Sequence, residues 1–168
     1  MIHSSFPAPA ALVALPEGLT AFLIAQGPAM WHEFALGLDF RASGVTIDLL
    51  LAADRICARP ECDRATAALI LARAVSAGLH RGVVPPGFDA YAARDFTFGL
   101  AKALREGRYA AARFALPPQD DRRLALLAGS RGPLALPPPA LGQAPHDPPY
   151  GFAGLRPHLR SALGRCAA

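Results

Sequence analysis

The stretch TIDLLLAADRICARPECDRATAALILARAVSAG, residues 46–78, predicts two apolar helices joined by a short connection. The first helix is expected over residues 47–58. Pro60 ends it, since the residue before a proline is disfavoured in the helical conformation. Asp63 is expected to cap the second helix, because its carboxylate can accept from a free backbone N–H of the first turn. Gly78 suits the left-handed residue that commonly follows a helix.

Apolar residues recur at helical spacing in both helices, which predicts that the pair is the core of the fold. We expect Leu50 and Leu51 on the first helix to be nearly inaccessible to solvent. The same holds for Leu69 and Leu71 on the second helix, whose six alanines would let neighbouring helices approach closely. Cys62, in the connection, is expected to be a small buried side chain with a structural role.

Further helices are predicted from proline, glycine and aspartate signals along the chain. Proline in the first turn and glycine after the last turn are typical helix boundaries. The predicted segments are Pro16–Gln26, Met30–Leu38, Ala90–Glu106, and a short helix that Asp120 caps and that ends near Ala128. We therefore predict an all-α fold, with a single compact domain of about six to seven short helices over residues 1–129.

The sequence changes character after residue 129. Seven prolines lie between Pro133 and Pro149, which predicts a proline-rich linker or strap over residues 130–150. A C-terminal helix is expected over residues 151–168, where three leucines repeat at every fourth position. This helix either packs on the core or stays free. We expect it to pack, since a leucine stripe left in water is unfavourable.

The bulk composition is typical of a folded chain with a modest positive charge. Of the 168 residues, 52% are hydrophobic and 18% are charged, and the formal net charge is +4. Three cysteines argue against a disulfide framework and favour a reducing compartment, so a cytoplasmic location is expected. Residues 8–30 are apolar, but proline, glycine and glutamate interrupt them before they reach the roughly 20 unbroken residues of a membrane span.

The residue patterns support no metal, cofactor or catalytic site. Cys57 and Cys62 lie close in sequence, but no neighbouring histidine completes a zinc site. A thiol near a helix N-terminus can be reactive, and His32 could serve as its base, yet no motif of a cysteine enzyme surrounds them. There is also no glycine-rich phosphate-binding pattern. We therefore predict no catalytic residue, no metal and no cofactor, which favours a protein without enzymatic activity.

Two groups of residues are the predicted interaction surface. The first surrounds the single tryptophan, because a tryptophan beside polar side chains can form a binding surface, although its spacing also fits the core. The second lies in the C-terminal helix, where arginines could contact the phosphates of a nucleic acid. A solvated helix face explains these arginines better, so nucleic-acid binding is not favoured. The residues concerned are Trp31, His32, Glu33, Asp39, Arg156 and Arg160.

Several short segments follow one another in an order that resembles a known family. They are His32-Glu33-Phe34-Ala35, Asp39-Phe40, Pro60-Glu61-Cys62-Asp63, Thr66-Ala67 and Arg105-Glu106-Gly107-Arg108-Tyr109. The chain resembles, over about residues 31–114, an uncharacterised bacterial helical family called domain of unknown function 4274. It departs from the family where Asp39-Phe40-Arg41-Ala42 replaces an acidic box and where Ala68 replaces a leucine. The resemblance implies a small helical domain with a binding role, and it brings no established activity.

The leading functional expectation is a non-catalytic protein-interaction module, of accessory or immunity type, with an unknown protein partner and no membrane association. Two alternatives stay open. One is a small-molecule binder or enzyme with a pocket near Trp31, His32 and Cys62. The other is weak nucleic-acid association through the C-terminal arginines.

Overall fold

The computed structural model describes residues 16–41, 47–84, 88–109 and 112–136 of the chain. Within these ranges the secondary structure consists of six α-helices and one short 3-10 helix, without a β-strand. The α-helices are α1 (Pro16–Gln26), α2 (Pro28–Gly37), α3 (Ile47–Cys57), α4 (Arg64–Ala77), α5 (Ala90–Arg105) and α6 (Pro118–Ala128), and the 3-10 helix covers Leu79–Arg81. The predicted all-α fold class is confirmed.

Helix α4 forms the centre of the structure, where it contacts α2, α5 and α6. Leu69 and Leu71 are fully buried, as predicted, and most other residues of α4 are buried with them. Its alanines leave little side chain between the helix backbones, so neighbouring helices can pack closely around it. Helix α1 packs on α2 and α3 and covers another side of the same core.

Helix α3 faces the core with a different side from the one expected. Leu50 is buried as predicted, but the prediction for Leu51 is wrong, because its side chain is 48% exposed. Leu51 shares a helix face with Asp54 and Arg55, three and four positions later, and both of these are exposed. Three consecutive leucines span about 200° of a helix, so one of them must leave the face that packs on α1 and α5.

The predicted helix ends of the central part are confirmed by their hydrogen bonds. Asp63 caps α4, since its Oδ1 accepts from the backbone N–H of Ala65 at 2.9 Å. Asp89 caps α5 in the same manner, with a hydrogen bond of 2.8 Å from an N–H of the first turn. Gly78 ends α4 with a φ of 87°, a conformation that strains residues carrying a Cβ.

Helix α6 begins three residues earlier than predicted, and Asp120 is not its cap. Pro117 and the following proline start the helix, which places Asp120 inside the first turn. The Asp120 carboxylate is fully buried and pairs with Arg73 of α4 at 3.0 Å and with Arg123 at 2.9 Å. This aspartate therefore fastens α6 to the central helix, which its local sequence does not reveal.

The chain turns back onto the domain after α6. The N–H of Leu136 donates to the carbonyl of Leu127 at 3.3 Å, and the Arg105 guanidinium donates to the carbonyl of Pro133. Leu134 and Leu136 are partly buried against the core. The first residues of the proline-rich segment therefore pack on α5 and α6.

Two predictions for the C-terminal part lie outside the described residues. They are the strap beyond residue 136 and the final helix over residues 151–168, with Arg156 and Arg160. Of the helices within the described ranges, none combines the length and apolar character that crossing a bilayer requires.

Candidate functional site

The predicted surface around the tryptophan is part of the core. Trp31, His32 and Glu33 are each at most 3% exposed, and the Trp31 indole N–H donates to the carbonyl of Leu23. Assigning these three residues to an interaction surface is therefore wrong. Asp39 is exposed as that assignment requires, and its carboxylate accepts from the backbone N–H of Arg41 at 2.9 Å.

His32 joins two distant parts of the chain. Its Nε2 lies 3.1 Å from the carbonyl oxygen of Ala115, which can only accept, so Nε2 donates. With a neutral ring, Nδ1 then accepts from the Thr66 hydroxyl, 3.0 Å away on α4. The ring also stacks on Phe114, with centroids 4.7 Å apart. These contacts fill the surroundings of His32 with protein groups, so it holds the segment before α6 against the core.

Asp63 fastens the same segment from the other side. While its Oδ1 caps α4, its Oδ2 accepts from the backbone N–H of Arg113 at 2.8 Å. The Arg113 guanidinium also lies 3.5 Å from this oxygen. Asp63 and the adjacent Cys62 are both buried. The predicted pocket near Trp31, His32 and Cys62 therefore falls on tightly packed side chains with structural contacts.

A cleft of about 250 Å³ lies instead between α3 and α5. Cys57, Leu100, Ala103 and Tyr109 form its floor, and all four are buried. The hydroxyl of Tyr109 donates to the carbonyl of Cys57 at 2.8 Å, which joins the end of α3 to the chain after α5. The floor thus consists of buried, mainly apolar residues, and this hydrogen bond connects them across the two segments.

The ionisable groups of this floor stay protonated at neutral pH. The pKa of the Cys57 thiol lies well above its usual range because of its hydrogen bond with the Cys62 thiol and its burial. Burial also raises the pKa of the Tyr109 hydroxyl. A protonated thiol is a poor nucleophile, so the floor is suited to packing and not to covalent catalysis. The predicted structural role of Cys62 agrees with this arrangement.

Charged and small residues form the rim of the cleft. Asp54 contributes a carboxylate from α3, and Asp95 contributes one from α5. Gly99 and Lys102 follow Asp95 at positions i+4 and i+7, so the three lie along one face of α5. Arg108 lies just beyond the end of that helix. The rim therefore carries both signs of charge.

Gly99 is the unusual residue of this rim. It lies in the interior of the sixteen-residue helix α5, where glycine is less stable than alanine by about 0.5–1 kcal/mol. A Cβ added at Gly99 would meet no atom within 4 Å, apart from the helix backbone and its chain neighbours. The packing of the fold therefore does not require glycine here, and the space beside it is open.

The sequence contained one usable signal for this cleft, the glycine inside a strongly helical pattern. Asp54, Asp95 and Arg108 look like ordinary solvated residues, and only the packing of α3 on α5 brings them together.

Over the described ranges, no group of three or more histidine, cysteine, aspartate or glutamate side chains is arranged to hold a metal ion.

The chain matches no protein-family model, no curated protein and no solved structure with which it was compared. The resemblance to domain of unknown function 4274 therefore stays a prediction.

Proposed function

We propose that this protein is a non-catalytic protein-interaction module that binds its partner at the cleft between α3 and α5. The observation that carries the proposal is Gly99, an exposed glycine that lowers helix stability and for which the packing gives no reason. Glycine in such a position allows the close approach of another molecule. A partner group bound beside Gly99 explains why α5 carries a glycine at this position, which the packing of the fold does not explain.

The size of the cleft favours a side chain of a protein partner. Pockets for drug-sized ligands have volumes of about 300–1,000 Å³, and this cleft has about 250 Å³. Protein interfaces commonly place one aromatic or arginine side chain in a pocket of this kind, surrounded by a polar rim. The apolar floor and the charged rim of the cleft correspond to that arrangement.

The chemical state of the floor supports binding over catalysis. The nucleophilic groups nearest to the cleft, the Cys57 thiol and the Tyr109 hydroxyl, have raised pKa values and already make hydrogen bonds within the protein. The cytoplasmic location and the accessory or immunity-type role remain part of the proposal. They rest on the cysteine usage and on the family resemblance.

Photo-crosslinking in the cells that produce the protein tests the proposal. The photoreactive residue p-benzoylphenylalanine replaces either Ala58, an exposed residue that lines the cleft, or Leu126 on α6. Leu126 is 76% exposed and lies outside the cleft, so it is both a control position and the rival surface. We expect one protein adduct from the Ala58 position and none from Leu126.

A second variant confirms that the adduct depends on the cleft. Gly99→Phe places a large side chain in the open space, so the Ala58 adduct should disappear while the melting temperature is retained. Gly99→Ala adds only a methyl group and is the matched control, which should keep the adduct. An adduct from Leu126 alone, or an Ala58 adduct unaffected by Gly99→Phe, would contradict the proposed binding site.

A further inference from the structure

We infer that Cys57 and Cys62 form a redox-sensitive switch in the floor of the cleft, a thiol pair that closes to a disulfide when a small oxidant reaches it and reopens when thiols reduce it. The disulfide does not depend on the proposed function, whereas its effect on a bound partner rests on that function. Three observations carry the inference: the contact between the thiols, the backbone turns that hold them together, and access through the cleft.

The two thiols are in hydrogen-bonding contact. The Cys62 thiol donates to the carbonyl of Asp63 at 3.7 Å, which leaves the Cys62 sulfur as the acceptor for the Cys57 thiol. The S–H bond of Cys57 is therefore directed at the Cys62 Sγ. The two sulfur atoms are neighbours in the fold, and a disulfide requires side chains that point towards each other in this way.

Two consecutive turns fold the connection back onto the end of α3. The N–H of Arg59 donates to the carbonyl of Ile56, and the N–H of Cys62 donates to the carbonyl of Arg59, both at 3.1 Å. Cys57 is the last residue of α3, and Cys62 directly precedes the Asp63 cap of α4. The backbone therefore keeps the second thiol beside the first, so a disulfide within one chain is favoured over one between two chains.

The cleft gives a small oxidant access to one sulfur of the pair. Cys57 lines the cleft and is 5% exposed, whereas Cys62 does not line it and is 1% exposed. A cleft of about 250 Å³ admits a low-molecular-weight disulfide, while a thiol so deeply buried is out of reach of a protein oxidant. The first step therefore takes place at Cys57, and Cys62 is the resolving thiol.

The reaction consumes one disulfide and returns two thiols. The Cys57 sulfur loses its proton and attacks the oxidant R–S–S–R, which forms a mixed disulfide and releases one R–S⁻. The Cys62 sulfur then loses its proton and attacks the Cys57 sulfur, which breaks the mixed disulfide and releases the second R–S⁻. The two released thiolates take up the two protons. Two protein thiols are thereby oxidised, and one external disulfide is reduced.

The two steps differ in rate. The raised pKa of Cys57 keeps its thiol protonated at neutral pH, so the first step is slow. The second step joins two groups that the fold already holds together, so it is fast. The mixed disulfide therefore does not accumulate while Cys62 is present.

Closure changes the floor of the cleft. The two sulfur atoms must move from hydrogen-bonding contact to a bond length of about 2.05 Å. Cys57 belongs to the floor together with Tyr109, whose hydroxyl donates to the carbonyl of Cys57 at 2.8 Å. A displacement of Cys57 therefore reaches Tyr109 through this hydrogen bond, and the reduced and oxidised proteins present different floors to a partner.

Bis(2-hydroxyethyl) disulfide tests the inference on the full chain. All samples carry Cys166→Ala, which removes the third cysteine of the sequence. We expect the protein to lose two hydrogen atoms, with the disulfide mapped to Cys57 and Cys62 by mass spectrometry, and to regain them with dithiothreitol. Two free thiols, or a persistent mixed disulfide, at equilibrium with excess oxidant would overturn the inference.

Two further variants test the order of the steps. In Cys62→Ala, one hydroxyethylthio group should remain on Cys57, because the resolving thiol is missing. In Cys57→Ala, Cys62 should stay largely unmodified over the same time, because the cleft does not reach it. Equal modification of the two variants would overturn access through the cleft. The Cys166→Ala protein alone decides whether the disulfide forms, so that result stands even if either variant is less stable.

NMR measures the effect of the disulfide on the cleft. Oxidation should shift the amide resonances of Ala58 and Tyr109, which line the cleft, and leave that of Leu126 on α6 unchanged. Unshifted resonances of Ala58 and Tyr109 in the oxidised protein would overturn the switch. Absence of a protein adduct at Ala58 in cells would instead remove the proposed function, and the disulfide would stand.

Discussion

Replacing Asp63 by alanine removes two interactions that hold different parts of the chain at the start of α4. One carboxylate oxygen caps the helix through the Ala65 N–H at 2.9 Å, and losing a cap costs about 1 kcal/mol. The other accepts from the Arg113 N–H at 2.8 Å, and leaving that donor without an acceptor costs about 1–3 kcal/mol. The Arg113 side chain is 60% exposed, so its ion pair adds at most about 1 kcal/mol. We expect Asp63→Ala to lower the free energy of unfolding by about 2–5 kcal/mol.

Asp89 provides the matched control, since it caps α5 through a single hydrogen bond of 2.8 Å and is exposed. Asp89→Ala should cost only about 1 kcal/mol. Asp63→Asn should lie between the two alanine variants, because an amide can keep the cap but presents a donor where Arg113 needs an acceptor. Urea unfolding followed by circular dichroism gives all three values. Equal losses for Asp63→Ala and Asp89→Ala would refute the idea that Asp63 holds the segment before α6.

Three further predictions concern the core and the cleft. Leu69→Ala should lower the free energy of unfolding by about 2–5 kcal/mol, whereas Leu51→Ala should lower it by less than about 1 kcal/mol, as measured by urea unfolding. Similar losses for the two variants would contradict the observed orientation of α3. Cys57 and Cys62 should react slowly with iodoacetamide in the native protein at neutral pH, because the pKa of Cys57 is raised and both thiols are buried. Mass spectrometry maps the alkylated residues, and rapid alkylation of either cysteine would contradict this expectation. Gly99→Ala should raise the free energy of unfolding by about 0.5–1 kcal/mol, and a loss would mean that the glycine serves the fold.

Most of the helix boundaries could be predicted from the sequence, because they depend on local chemistry. Pro16 and Pro28 open helices α1 and α2, and Gly27 separates them. Asp63 and Asp89 cap helices through N–H groups two residues away. Each of these signals acts within one turn of the chain, so no knowledge of the tertiary structure is needed to interpret it.

The orientation of polar residues could not be predicted in the same way, because their partners are distant in sequence. From the sequence alone, His32 resembles a surface residue. In the fold it is buried, and its Nε2 donates to the carbonyl of Ala115, 83 positions later. Asp120 resembles a helix cap in the sequence, since aspartate beside a helix start is common. Its carboxylate instead pairs with Arg73, which lies on another helix. The same limit applies to Leu51, whose exposure depends on where α1 and α5 lie around α3.

The polar side chains of this protein fall into two groups once their partners are known. Asp63 and Asp120 are fully buried, and each joins two segments that are far apart in sequence. Burying a charge without such partners would cost several kcal/mol, so these groups are explained by the stability of the fold. Asp54 and Asp95 are exposed, make no ion pair with the described residues and line the same cleft as Gly99. The fold gains little from their positions, and for that reason the search for a partner should begin with them.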